Sequence, residues 1–394
     1  MPDKIIYLDH AATTYVKPQV FEVMKPYFVE QYGNASSIYS IGRDNRKAIE
    51  EARAKIARAV GAAEASEIYF TGSGSEADNW AIKGAVEALQ KKGRHVITSA
   101  IEHPAVMETC EYLKKTGCDV TILPVNDEGF VSPADVEKAI RPDTVLVTIM
   151  FANNEIGTVQ PISEIGAVCR KAGVLFHTDA VQAAGNVPID VKALNVDLMS
   201  VSGHKFYGPK GTGFLYIRKG VKIATLIHGG HQERGRRAGT ENVPGIVGLA
   251  AALELAVDSL DAYREKVSAL RDKALNAILD KIPHVKLNGP REQRLPGNLN
   301  ISFRFIEGES LLLMLDMKGI KASSGSACTS GSLDPSHVLL AIGLSHEIAH
   351  GSLRLSFGEH NTEEEVDFLV NCLTETVERL RSMSPLYEDF VKGV

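Results

Sequence analysis

VDLMSVSGHKFYGPKGTGFLYI, residues Val196 to Ile217, opens with a short apolar run, breaks into a polar, glycine-rich turn and closes on a second apolar run. Two strands joined by a chemically loaded turn is the natural reading. The turn carries His204 and Lys205, crowded by Ser202, Gly203 and Gly208. A lysine directly after a buried strand lies near apolar walls, where its ammonium form is disfavoured and the nucleophilic amine becomes accessible. Schiff-base chemistry requires that amine. The bland alternative is a solvated loop lysine, the ordinary fate of this residue; the neighbours of Lys205 weigh against it. A phosphate loop is the other alternative, because Gly203 and Gly208 have its outer spacing. It fails in detail, since Pro209 separates the second glycine from Lys210 and no Ser or Thr directly follows that lysine to hold magnesium.

Outward from this stretch the pattern alternates. Strand-like runs at Ile68 to Phe70, His95 to Ser99, Val120 to Leu123, Thr144 to Met150 and Val174 to Thr178 are separated by helical stretches such as Glu76 to Gln90 and Ile162 to Lys171. Such alternation implies an α/β fold with a mostly parallel sheet covered on both faces and ligands at the carboxyl ends of its strands. Upstream, Arg43 to Val60 reads as an amphipathic helix and Lys17 to Glu30 as a helical stretch. Downstream, Pro244 to Ile282 reads as a long helical link. Beyond it come runs at Asn298 to Phe303 and Ser352 to Phe357, a helix at Glu309 to Met317, and a final helix opened by a Thr362/Glu365 capping box.

The length, 394 residues, suits one large domain plus a smaller one. With 23% charged and 44% hydrophobic residues the composition is that of an ordinary globular protein. A net charge of -6 argues against a dedicated nucleic-acid or anionic-membrane surface. No apolar leader pattern opens the chain, and the best apolar run, Gly245 to Val257, is broken by Glu254, so the expectation is a cytoplasmic protein that spans no membrane. Cys110, Cys118, Cys169, Cys328 and Cys372 are odd in number and scattered, which implies reduced thiols.

Four further clusters carry chemistry. Thr71 to Asn79, TGSGSEADN, follows a strand and opens a helix, so backbone N–H groups around Gly74 and the Ser75 hydroxyl could hold one phosphate; plain strand-to-helix punctuation is the alternative. His103 stands just past a strand, where a structural histidine and a ligand-facing one are both open readings. Asn153, Asn154 and Glu155 follow one strand, and Asp179 and Gln182 another. An acidic group there could pair with a ring nitrogen, or could cap a helix. Cys328 lies among small polar residues in KASSGSACTSG, unlike the other four cysteines, which fit core positions. His346, Glu347 and His350 satisfy the zinc-protease pattern HExxH, but Gly343 and Gly351 leave barely two helical turns, which favours a short surface helix.

In this order the pieces SGHKFYGPKG, NNEIG, HTDAVQ, RAGTEN and SSGSACTSG resemble the fold-type I, class V aminotransferase superfamily, which uses pyridoxal 5'-phosphate (PLP). Within it the chain looks like a cysteine desulfurase of the NifS/IscS type, and the resemblance spans essentially its whole length. It implies a large PLP-binding domain over 15–260 and a smaller α+β domain from 1–14 and 261–394 that carries the Cys328 loop. It implies further that Lys205 holds PLP covalently, His103 stacks on the ring and moves protons, Asp179 pairs with the pyridine nitrogen and Gln182 bonds the ring oxygen. Gly74, Ser75, Ser202 and His204 would hold the phosphate, with Thr240 reaching it from the neighbouring subunit of a homodimer. Asn154 and Arg354 would hold the substrate carboxylate.

Members of the family convert L-cysteine to L-alanine and leave sulfur as a persulfide on the loop cysteine, here Cys328, for iron-sulfur cluster assembly or other acceptors. The resemblance also offers Cys328 as a transient iron-sulfur ligand. Ser75 stands where many relatives have threonine, and the chain ends short of the tail with which housekeeping members dock a scaffold. Selenocysteine lysis or transamination on the same cofactor are alternatives, as is a non-catalytic scaffold that keeps the fold.

Overall fold

The computed structural model describes residues 5–324 and 335–393. Its strands are β1 (Ile6–Tyr7), β2 (Ile68–Thr71), β3 (His95–Ser99), β4 (Asp119–Leu123), β5 (Thr144–Thr148), β6 (Leu175–Asp179), β7 (Leu198–Ser202), β8 (Gly213–Ile217), β9 (Val285–Leu287), β10 (Asn298–Phe303), β11 (Ile320–Lys321) and β12 (Ser352–Ser356). β7 and β8, the two runs of the opening stretch, pair antiparallel, and the turn between them begins as a one-turn 3₁₀ helix, Gly203–Lys205.

Seven strands form the main sheet in the order β2-β8-β7-β6-β5-β3-β4. Only β8 runs against its neighbours; the remaining pairs are parallel. Successive side chains of a strand point to opposite faces, and here both faces are apolar. Leu198, Leu215 and Ile217 join a core with Trp80 and Val106 from the helices Gly74–Ala88 and Pro104–Lys115. Met199, Val201, Phe214 and Tyr216 enter the opposite core, with Ile56 and Leu249 from the helices Ser40–Ala59 and Val243–Asp258. The expected covering on both faces therefore holds.

A second apolar cluster gathers Ile6, Leu8, Leu275, Leu299, Leu355, Leu369 and neighbours. Around it lie the antiparallel sheet β12-β10-β9 and the parallel pair β1-β11. The expected long helical link is broken rather than continuous: Val243–Asp258 and Leu260–Lys281 meet at Ser259 with a 72° bend. The first half packs into the sheet's core and the second into the other cluster. Likewise Lys17 to Glu30 splits into Pro18–Met24 and Pro26–Val29, because Pro26 cannot continue the hydrogen-bond ladder. The Thr362/Glu365 capping box is formed, and the helix it opens, Glu363–Ser382, is followed by one more, Pro385–Lys392. Among the described residues no single helix is long and apolar enough to cross a membrane.

Candidate active site

Parallel strands deliver their carboxyl ends to one edge, and a cavity of about 220 Å³ opens there. Gly74, Ser75, His103, Asn154, Asp179, Gln182, Ser202, His204, Lys205 and Arg354 all line it. Thr240 does not; it is exposed in the loop before the helix Val243–Asp258. Cys328 lies outside the described residues.

Each position has a local cause. Ser73 caps the helix Gly74–Ala88, its hydroxyl accepting from the Glu76 N–H at 3.1 Å. The first amides of that helix have no intrahelical acceptor and its dipole favours an anion. A Cβ at Gly74 would stand 2.6 Å from Val181 Cγ2, so only glycine keeps this approach open. Across the cavity, His204 Nδ1 lies 3.1 Å from Thr13 Oγ1, and burial holds its pKa down to about 4. The ring is neutral at neutral pH.

Lys205 Nζ donates to the carbonyls of Ala11 at 2.5 Å and Ala12 at 2.8 Å. Gln182 Nε2 donates to the same Ala11 carbonyl at 2.9 Å. His103 caps the helix Pro104–Lys115 by accepting from the Ala105 N–H on Nδ1 at 3.1 Å. Burial lowers its pKa, so the proton of the neutral ring sits on Nε2, the nitrogen left for chemistry.

Asp179 ends β6, accepting the Val181 N–H at 2.9 Å. Burial raises its pKa, opposed first by His103 and then by the Val181 amide and Lys205. Asp78, which the sequence reading did not single out, lines the same cavity. Burial pushes its carboxyl well above the ordinary range, and Asp179 pushes it further, with only Ser200 as a hydrogen-bonding counterweight. Two neighbouring buried carboxyls do not both ionise cheaply. The better-partnered Asp179 keeps the charge, and a shared proton belongs on Asp78. His177 stands 3.7 Å from Asp78, held between Thr148 Oγ1 at 2.8 Å and Ser200 Oγ at 2.9 Å. Burial drives it down to about 3, leaving it neutral. The signal for Asp78 was its spacing: four residues after Gly74 places it on the same helix face.

Arg354, on β12, is buried and donates to Asp9 Oδ1 at 2.8 Å and the Asn154 carbonyl at 3.1 Å. On either side of the cysteine stretch, Ser323 bridges to the Arg354 backbone and Ser336 donates to Glu155 at 2.5 Å. Cys110, Cys169 and Cys372 are buried and free, and Cys118 is half-buried and free. Burial raises the first two thiols to about 12, which makes them poor nucleophiles. The HExxH motif lies on a five-residue surface helix, His346–His350; no group of three or more metal-ligating side chains occurs among the described residues.

The donor set suits a phosphorylated aromatic aldehyde. Helix amides and the Ser75 and Ser202 hydroxyls could take a dianion, Asp179 could hold a protonated ring nitrogen, and Lys205 could bond the carbonyl carbon. An amine, an acid and an anion cradle at the carboxyl edge of a sheet covered on both faces fit a PLP-dependent enzyme. The chain belongs to the class-V aminotransferase family, whose profile matches residues 6–369 and whose cofactor is PLP. It is 57% identical over 393 residues to the cysteine desulfurase IscS of Clostridium botulinum, covering 99% of both chains. To the cysteine desulfurase IscS of Methanosarcina thermophila it is 58% identical over 384 residues, covering 98% of this chain and 95% of that one. Among solved structures, a NifS-like protein superposes with a TM-score of 0.90 at 41% identity, over 96% of this chain and all of the other (100%). SspA in complex with cysteine superposes with a TM-score of 0.80 at 39% identity, over 91% and 100%.

Proposed function

We propose that this protein is a cysteine desulfurase that converts L-cysteine to L-alanine and passes the sulfur on as a persulfide of Cys328. The observation that carries the reading is the convergence of Lys205, His103, Asp179 and Arg354 on one cavity. Bound PLP supplies an electron sink for the substrate carbon. Lys205 anchors the cofactor and Asp179 keeps a proton on its ring nitrogen. Gly74, Ser75, Ser202 and His204 hold the phosphate, with Gln182 at the ring oxygen. Arg354 and Asn154 would fix the substrate carboxylate, and His103 Nε2 would carry protons to and from the substrate. The Cys328 thiolate attacks the substrate sulfur, the carbon–sulfur bond breaks with its electron pair going to carbon, and protonation of that carbon gives alanine.

The domain division at 15–260 against 1–14 with 261–394 is part of this proposal, and two separate apolar clusters support it. So is a homodimer: Phe21, Phe28, Val29, Tyr32, Ile38 and Tyr39 form an exposed apolar stretch, and a partner's Thr240 would complete the phosphate site. A cytoplasmic protein handing sulfur to an iron-sulfur scaffold or another acceptor follows from the same reading.

The test is mass spectrometry after incubation with L-cysteine. One added sulfur on the Cys328 peptide, with alanine released, is expected; Cys328→Ala retains cofactor and yields neither sulfide nor persulfide. A keto acid in place of alanine would indicate transamination.

A further inference from the structure

Arg354 has five N–H groups to satisfy in a fixed fork. Asp9 and the Asn154 carbonyl engage its two terminal nitrogens. Nε is buried without a hydrogen-bond partner, and the side chain is 1% exposed while lining the active-site cavity. A guanidinium held at both terminal nitrogens and unmatched at Nε keeps N–H donors to spare, and a carboxylate is the acceptor that matches them.

The placement of Asp9 is equally determined. The segment after β1 runs beside β12, with Asp9 bridged to Ser356. Three hydrogen bonds lock it there: Ser356 N–H to the Leu8 carbonyl at 2.7 Å, Ala11 N–H to Ser356 Oγ at 2.9 Å, and His10 Nδ1 with the Ser356 carbonyl at 2.9 Å. Arg354 and Ser356 are two apart on one strand and share a face. Anchoring on Ser356 therefore sets the Asp9 carboxylate against Arg354.

We propose that Asp9 is a positioning residue for substrate recognition, holding the Arg354 guanidinium so that its spare N–H groups meet the α-carboxylate. The inference rests on the desulfurase reading in taking an amino acid as the ligand and Arg354 as the site of its carboxylate. A merely structural ion pair would also neutralise a buried arginine. The two roles differ in what their loss changes. Lys205 is held by the backbone carbonyls of Ala11 and Ala12, which a change of the Asp9 side chain leaves in place. Cofactor attachment and substrate-carboxylate binding are thus separable at this one segment.

The experiment uses the PLP-loaded full chain with Asp9→Ala and Asp9→Asn. Competitive inhibition is measured with L-alanine, which has the carboxylate, and with cysteamine, which lacks it. Loss of a charge-assisted orienting bond predicts that Asp9→Ala raises KM for L-cysteine and Ki for L-alanine about 10- to 100-fold. Its kcat and its Ki for cysteamine stay within about twofold, a limit set by transition-state interactions that do not involve the carboxylate. Asp9→Asn keeps an acceptor oxygen in place and recovers part of the loss. Equal weakening of both inhibitors, or unchanged L-alanine binding in a folded Asp9→Ala protein, overturns the inference. A parent enzyme that binds L-alanine yet forms no persulfide refutes the desulfurase reading and leaves this test standing.

Discussion

Asp179, the last residue of β6, and Lys205, the last residue of the 3₁₀ turn after β7, line the same cavity. β6 and β7 are adjacent and parallel, with Asp179 opposite Ser200, so the turn that follows Ser202 brings the amine back over the end of β6. The juxtaposition of acid and amine is a property of strand order.

Replacement of Asp179 by asparagine keeps the shape and removes the charge. Turnover of L-cysteine should fall on the order of 10²- to 10³-fold, the usual cost of losing one preorganised electrostatic partner. Visible absorption of bound PLP should persist, whereas Lys205→Ala should eliminate the covalently bound form. Alanine formation and absorption spectra measure the two effects.

At Gly74 the prediction concerns the phosphate. The 2.6 Å approach to Val181 Cγ2 leaves no room for a methyl group, and overpacking of this kind costs about 1–3 kcal/mol. Gly74→Ala should weaken PLP binding roughly 5- to 150-fold if that energy falls on the phosphate site. Binding of pyridoxal, which has no phosphate, should change far less, as titration of the cofactor-free protein will reveal.

Burial raises the Glu102 carboxyl to about 8, although Ser99 and the Met150 N–H both donate to Oε1. In the unfolded chain it ionises near pH 4.3. Over the interval between those values folding takes up a proton, so this group's stabilisation is fully present at low pH and is lost as pH rises towards about 8. The slope is up to about 1.4 kcal/mol per pH unit. Glu102→Gln removes it, so the stability of the variant relative to the parent should increase steadily between pH 5 and 8 in urea titrations. A constant difference across that range would contradict the assignment.

The helix Ser40–Ala59 is tied to the far loop by Arg53, whose terminal nitrogens meet Glu233 at 2.7 and 2.8 Å. Both side chains are buried, and Glu233 also accepts the Phe70 N–H at 2.9 Å. Arg53→Ala should cost about 3–5 kcal/mol by stranding a buried carboxylate. An apolar replacement of both partners should recover only part of that, since the Phe70 amide would then lack its acceptor. Chemical unfolding of the single and double variants separates the two contributions.

Much of the site was legible in the chain itself. Glycines at a strand-to-helix junction, a lysine in a loaded turn, and Asp179 and His103 after apolar runs stand out locally as candidates, because an α/β sheet places ligands at its strand ends; for Asp179 and His103 the family resemblance, not local spacing, supplied the roles. Glu102 and Asp9 carry no such local signal, since each is an ordinary acid until its neighbours are known, and Asp78 offers only its helical spacing from Gly74. Burial beside Asp179 makes Asp78 a proton holder, and burial without a partner for Oε2 does the same for Glu102.

The order of elements, the two-faced sheet and the motifs of the family are therefore determined by the amino-acid sequence, through side-chain periodicity and local backbone preference. Tertiary structure alone decided which carboxyl carries charge, that the link bends at Ser259, and that Asp9 meets Arg354 from the opposite end of the chain. Ionisation and ion pairing depend on dielectric and distance, and those exist only once remote segments have packed together.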